Sequence, residues 1–378
     1  MAVAARLRER WWPASSTTRR PLASRRDDLV TLLAGIWFVI GLFVDAWAHS
    51  NRPQLETFFT PWHAVFYSGF VATAGWVGWL VWRNVLTGRR GLDAIPIGYG
   101  PTVLALGIFL LSALADLIWH SVFGIEQSLA AVFSPSHLGL GASMMLILTS
   151  PLRSAWANPT MPVAPALSRF LPAALSIGAA AGLFGLYLTF ANAAGWSAES
   201  IVQAFSTIQE GDGTTRTRAA MLAGDIALTN AMLLTPLLLL ARRWSMPVGT
   251  ATAVYGVFGF LSCSVDAFEY PSTFAAFLVA GLAVDALIWW LRPSQGHRGR
   301  YWTFAALAAL ATWSVYLAAA SIAAGRLPEV VEYWTGMPVI AALHGLLLGV
   351  LFLPNTRHPH PDPAGNAAAA PPLPTQPG

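Results

Sequence analysis

The sequence predicts an all-α, polytopic integral membrane protein built from repeated helical hairpins, with about ten transmembrane helices of bilayer-spanning length. Three observations predict it. Charged residues make up 11% of the chain and hydrophobic residues 55%, whereas soluble domains carry roughly 25% charged residues. Apolar runs of about 20 residues, enough to cross a bilayer, recur along almost the whole chain. The density of Arg alternates from one turn to the next, as it does between loops on opposite sides of a membrane.

Residues 1–28 form a basic cytoplasmic arm, with Arg6, Arg8, Arg10, Arg19, Arg20, Arg25 and Arg26 ahead of the first span. That excess places the N-terminus in the cytoplasm, and Trp11 and Trp12 suit the interface. The apolar runs follow at 29–49, 62–83, 97–120, 136–152, 170–192, 216–241, 247–265, 273–291, 301–324 and 335–353. The first is too long and too far from the N-terminus for a cleavable signal peptide, and no small-residue cleavage site follows it. An even number of spans returns the C-terminus to the cytoplasm. The inside loops then carry Arg83, Arg89, Arg90, Arg153, Arg169, Arg242, Arg243, Arg292, Arg298 and Arg300, and the outside loops only Arg52, Arg216, Arg218 and Arg326.

The membrane domain thus runs over 29–353, in two parts: 29–152 and the second half, 170–353. Residues 354–378, with HPHPDP and then Ala and Pro, read as a disordered cytoplasmic tail. Every basic residue is Arg, a composition bias of high-GC bacteria, so the expected location is the bacterial cytoplasmic (inner) membrane. The net charge of +4 reports topology and makes no case for nucleic acid. Cys263 is the only cysteine, which excludes an intrachain disulfide and thiolate clusters.

The informative feature is a repeat at the outward turns. The first reads DAWAHSNRPQLETFFTPWH, Asp45 to His63, and the second DLIWHSVFGIEQSLAAVFSPSH, Asp116 to His137. Both hold Asp-x3-His, an acidic residue in the loop, a Phe, and then Pro-x-His. Asp and His four residues apart share a helix face, so Asp45 meets His49 and Asp116 meets His120. The chain re-enters through Pro at the first helical turn, where a missing N–H costs nothing. The next helix then brings His63 or His137 to similar depth.

Each hairpin presents one carboxylate and two imidazoles, a donor set suited to copper, zinc or non-haem iron. Four of the eight histidines fall in these motifs. The alternative is a polar layer in which Asp and His cap helix ends and bond one another. Six donors could also gather into one binuclear centre instead of two sites. Glu56 and Glu126, in the intervening loops, are accessory ligands or solvated loop carboxylates.

Further on, Asp225, Asp285 and His344 lie inside expected spans, where an ionisable group costs several kcal/mol unless paired or hydrated. Asp225 and His344 fall at similar depth and either pair, line a polar path, or make structural hydrogen bonds. A third outward turn, DAFEYPS from Asp266 to Ser272, echoes the motif. Asp266 and Glu269 there are a degenerate relic or a carboxylate entry point for a cation.

These motifs resemble those of the C subunit of the copper membrane monooxygenases, which oxidise methane, ammonia or short hydrocarbons. Asp116, Trp119, His120, Phe133, Ser134, Pro135, Ser136 and His137 match one family pattern, with sixteen residues between the histidines. His49, Glu56, Phe58, Pro61 and His63 match the other with its thirteen-residue gap, and Asp45 stands where the family has Asn. The resemblance implies two copper sites, Asp45/His49/His63 and Asp116/His120/His137. It also implies partner subunits, one of cupredoxin type, and a small hydrophobic substrate.

Several functions compete on this sequence. One is a copper-dependent monooxygenase-like oxidoreductase component. Another is a metal-handling protein, a copper reservoir or transporter, although its eight Met residues form no thioether ladder of the kind that suits Cu(I). Paired haem ligands and a structural membrane subunit without metal complete the set, and a homo-oligomer suits any of them.

Overall fold

The computed structural model describes residues 20–52, 60–124, 132–206 and 213–353, apart from the side chains of residues 50 and 213–217. Glu56, Glu126 and the expected tail lie outside the described residues. Twelve α-helices and no strands appear among them. They are α1 (Arg25–Asn51), α2 (Pro61–Leu86), α3 (Gly100–Phe123), α4 (Pro135–Leu148), α5 (Ser150–Ala157) and α6 (Leu167–Tyr187). The second half follows with α7 (Ala198–Ala204), α8 (Gly213–Arg243), α9 (Thr250–Ser264), α10 (Pro271–Leu291), α11 (Arg298–Ala324) and α12 (Val331–Phe352).

Eight of these are long and apolar enough to cross a membrane: α1, α2, α3, α6, α8, α10, α11 and α12. Each coincides with an expected run. The other two runs hold α4 and α9, apolar helices of 14 and 15 residues. They are about 21–23 Å long, shorter than a hydrocarbon core of about 30 Å. The run at 136–152 is interrupted because α4 stops at Leu148 and α5 begins afresh with Pro151 in its first turn, where proline is best tolerated.

The end of the basic arm is built into the bundle. Ser24 caps α1 in a reciprocal capping box with Asp27, which satisfies two otherwise orphaned amides. Arg20 Nε donates to the Ile95 carbonyl at 3.1 Å and Ile97 N–H to the Pro21 carbonyl at 2.9 Å.

Helices α1 and α2 pack as a close hairpin because Gly41 and Gly69 face each other's backbones. A Cβ at Gly41 would lie 2.7 Å from Phe66 Cα, and one at Gly69 would lie 2.5 Å from Phe38 Cα. Small residues that let helix backbones approach are a favoured packing device in membranes. At the far end of the pair, Arg83 grips Asp27 in a two-bond fork of 3.1 and 2.9 Å, the strong geometry for guanidinium and carboxylate. Asp28 beside it accepts from Tyr99 and Ser154 at 2.8 and 3.0 Å, tying α1 to α3 and α5.

Helix α6 is the hub, packed against α1, α4, α5, α8 and α9. Its buried side includes Gly178, Ala179, Ala180, Ala181 and Gly182, small enough for α9 to come close. A core rich in buried Phe (Phe38, Phe66, Phe70, Phe109) joins α1 to α4 with α6, and a larger one fills the second half. Outward, α3 exposes Leu104, Leu110, Leu111, Leu114, Ile118 and Val122. An apolar face of that extent on a soluble protein would be a liability; against lipid it is at home.

Candidate metal centre

The ends of α1 and α3 and the starts of α2 and α4 lie at one end of the bundle, and there the two motifs close. Residues Thr60-Pro61-Trp62-His63 and Ser134-Pro135-Ser136-His137 open α2 and α4 in the same way. Thr60 and Ser134 are N-caps, proline takes the first turn, and the N-cap oxygen accepts from the histidine backbone N–H. His63 and His137 therefore occupy equivalent helical positions, although the second hairpin has three more residues between its histidines. The histidine rings reach the same spacing in both, with centroids 5.4 Å apart for His49–His63 and 5.6 Å for His120–His137.

In the first triad Asp45 Oδ2 lies 3.4 Å from His63 Nε2 and 3.8 Å from His49 Nδ1. In the second, Asp116 Oδ2 lies 3.5 Å from His120 Nε2, and Oδ1 lies 3.4 Å from His137 Nε2. One donor atom from each residue of a triad falls within 4.8 Å of the others. The alternative of a hydrogen-bonded capping layer predicts shorter contacts, since an N–H···O bond spans about 2.7–3.2 Å. Three of the four separations, at 3.4–3.5 Å, instead match the edge of a tetrahedron of donors about 2.1 Å from a common centre, and the fourth, to His49 Nδ1, is longer at 3.8 Å. The starts of α2 and α4 are capped by Thr60 and Ser134, not by the triad carboxylates.

Burial sharpens the point. Asp45 and Asp116 are only 7% and 1% exposed. Among the described residues, Oδ1 of each is a buried acceptor without a hydrogen bond, which costs free energy until a cation or donor satisfies it. His63 and His120 are also buried, while His49 and His137 are half-buried.

Outer contacts orient every ring. His49 Nδ1 lies 2.9 Å from the Asp45 carbonyl and His120 Nδ1 lies 3.2 Å from the Gly124 carbonyl. A carbonyl only accepts, so Nδ1 carries the proton and Nε2 of the neutral ring keeps its lone pair. Gly124 ends α3 at φ 82°, a left-handed conformation that favours glycine. His63 Nδ1 lies 3.1 Å from Thr60 Oγ1, and His137 Nδ1 lies 2.7 Å from Ser134 Oγ. The cap hydroxyls thus fix helix starts and rings together.

Both triads line one cavity of about 330 Å³. Leu42, Phe66, Leu140, Met144 and Leu186 supply apolar wall, and Tyr67, Tyr187 and Asp266 supply polar atoms. Tyr67 stacks near His63 with centroids 6.2 Å apart. Tyr187 donates to the His137 carbonyl at 2.5 Å and so pins the start of α4 from α6.

Thr60, Gly124, Tyr67 and Tyr187 do not stand out as site residues in the sequence, and Ser134 enters it only as part of a motif, without a role. Thr60 and Ser134 had a local signal, a hydroxyl three residues before each histidine. Tyr67 had one too, one helical turn beyond His63. Tyr187 had none, because only the tertiary fold brings α6 to α4.

The ionisable residues of the second half do not meet. Asp225 accepts from Trp196 Nε1 at 2.7 Å, and His344 Nδ1 lies 3.3 Å from Asn230 Nδ2. Asp285 accepts from the N–H groups of Ala251 and Thr252 and from the Thr252 hydroxyl, so it caps α9 from α10. None of the three lines the cavity of the triads. Asp266 does, from the turn between α9 and α10. Partial desolvation of this otherwise exposed side chain, and then the neighbouring Glu269, push its carboxyl above its ordinary value.

Comparisons with protein families, with curated proteins and with solved structures gave no match for this chain.

Proposed function

We propose that this chain is a metal-binding integral membrane protein that holds copper at Asp45/His49/His63 and Asp116/His120/His137. The observation that carries the reading is the donor spacing: each buried carboxylate sits 3.4–3.5 Å from an imidazole Nε2 of its triad, about one tetrahedral edge, and each ring is oriented from outside. Zinc or iron would accept the same donors, and copper is favoured by the resemblance to the monooxygenase C subunit. Copper so held supplies reductive activation of dioxygen. The chain's own residues hold the ion, aim Nε2 of His63, His120 and His137 at the carboxylates while their Nδ1 atoms are engaged outside, and present an apolar wall to a small hydrophobic substrate.

On this reading the protein is an oxidoreductase component that depends on partners for electrons, a cupredoxin-type subunit among them. A reservoir role uses the same sites. Transport is less well supported, because Asp225, Asp285 and His344 are each engaged within the second half and do not extend the cavity.

The topology that accompanies this function has ten crossings, with α4 and α9 as short ones. The metal sites face the outside of a bacterial cytoplasmic membrane, and both termini are cytoplasmic. Eight long apolar helices and the Arg asymmetry support it.

The test is metal content of the purified protein after copper loading, by mass spectrometry, beside the double variant His120→Ala, His137→Ala. The wild type is expected to hold copper at two per chain and the variant at one. Absence of copper from the loaded wild type would overturn the proposal.

A further inference from the structure

The third outward turn, between α9 and α10, reaches the same cavity as the two triads. Asp266 lines that cavity with Asp45 and Asp116, although it is 221 residues from Asp45 in the chain. It differs from them in setting: Asp45 and Asp116 are buried, and Asp266 is exposed. The cavity is therefore lined by one solvent-exposed carboxylate and two buried ones.

The turn is held in place. Phe268 N–H donates to the Cys263 carbonyl, and Glu269 N–H to the Asp266 carbonyl, both at 2.9 Å. Ala267 and Phe268 adopt φ of 52° and 57°, left-handed values that non-glycine residues hold only where surroundings impose them. The Phe268 ring packs on Phe260 and Phe274 at centroid distances of 5.3 and 5.7 Å. Asn51, two residues past His49, reaches the Val265 carbonyl at 3.5 Å, a long contact that links the turn to the first hairpin.

Asp266 forms no ion pair among the described residues. By contrast, Oδ1 of Asp45 is buried and without a hydrogen bond. A cation arriving from solvent thus meets an accessible carboxylate first, then donors that reward the loss of its water.

Resting on the metal reading of the triads, we infer that Asp266 is an entry carboxylate. It captures an incoming divalent transition-metal cation at the cavity mouth and delivers it to Asp45/His49/His63 and Asp116/His120/His137. It is not a ligand of the loaded state. Its contribution is kinetic: a fixed negative charge at the entrance raises local cation concentration and so the rate of capture.

The experiment is stopped-flow uptake of Cu2+ by the full-length protein, stripped by chelation and held in detergent micelles. Quenching of Trp fluorescence reports the rate, and metal analysis of the product reports stoichiometry. Wild type, Asp266→Asn and Asp266→Glu are compared. Asp266→Asn is expected to slow the second-order step about fivefold at low salt, the effect in water of one unit charge about 8 Å from the path of a divalent cation. The difference should shrink in high salt, with final stoichiometry equal to wild type and Asp266→Glu close to wild type in rate.

Asp266→Asn loading at the wild-type rate would overturn the inference. So would a lower final stoichiometry at an unchanged rate, which would make Asp266 a ligand. A wild type that takes up no copper fails differently, since it removes the triad reading and this one with it. Circular dichroism and elution volume establish that the variant is folded, as expected for an isosteric change at an exposed side chain.

Discussion

At residue scale, Thr60 and Ser134 each perform two jobs that are usually separate. Each hydroxyl accepts from the backbone N–H at the third helical position and lies against Nδ1 of the same histidine. Thr60→Ala should therefore fail twice. Loss of the cap costs about 1 kcal/mol of stability, and loss of the outer contact weakens metal binding about 10- to 100-fold at the first triad. Thermal unfolding and a chelator-competition titration measure the two effects, and Thr60→Ser should restore both. A substitution that lowers stability but leaves affinity untouched would show that the hydroxyl does not orient the ring.

The six donors were legible in the sequence because they repeat at fixed spacing, and helical period alone puts Asp45 over His49 and Asp116 over His120. Their closure with His63 and His137 was legible as well, since Pro and a cap residue announce where each returning helix starts. What could not be read was the sharing of one cavity. That depends on α1 to α4 and α9 assembling around α6, and no local pattern encodes it. Asp266 showed only as a faint echo of the motif, and Asp285 as a costly intramembrane acid. Its role as a cap for α9 required a partner 34 residues away.

The element scale is governed by how closely helices approach. Gly69 lies against the backbone of Phe38, and a methyl there would meet Cα at 2.5 Å. Backbone cannot yield as a side-chain tip can, so Gly69→Ala should destabilise by about 1–3 kcal/mol and part α1 from α2. The first triad spans that pair and the second does not. Copper bound by the variant is therefore expected to fall from two per chain toward one, read by metal analysis beside a thermal melt. Retention of both ions would show that the hairpin tolerates the wider spacing.

Helix existence was readable from hydropathy at every span, and helix length was not. The run at 136–152 breaks at Thr149 because Pro151 and a threonine that bonds back to the Met145 carbonyl at 2.8 Å end α4 early. Composition averaged over a window hides such a break. The short α7 was missed for a related reason: a 7-residue amphipathic segment is too brief to show a period.

For the whole molecule, the proposed orientation rests on where Arg accumulates. Glu199 on α7 and Arg326 after α11 pair at 2.5 Å at the same end as the triads, and the loop at Gly296 lies at the other. With Cys263 replaced by Ala, a cysteine at Glu199 should react with a membrane-impermeant maleimide on intact cells. One at Gly296 should react only after permeabilisation. The reverse pattern would invert the topology and put the cavity on the cytoplasmic side.

Gly41, against the Phe66 backbone, and Gly69, against the Phe38 backbone, set the close contact of the first hairpin nearer its metal-motif end. On α1 that contact lies 4 residues from Asp45 and 14 from Asp27, about 6 Å and about 21 Å along the axis. On α2 it lies 6 residues from His63 and 14 from Arg83, about 9 Å and about 21 Å. The Asp27–Arg83 fork closes the far end of the same helix pair that holds Asp45 and His63, so one hairpin is fastened at both ends by carboxylates of α1.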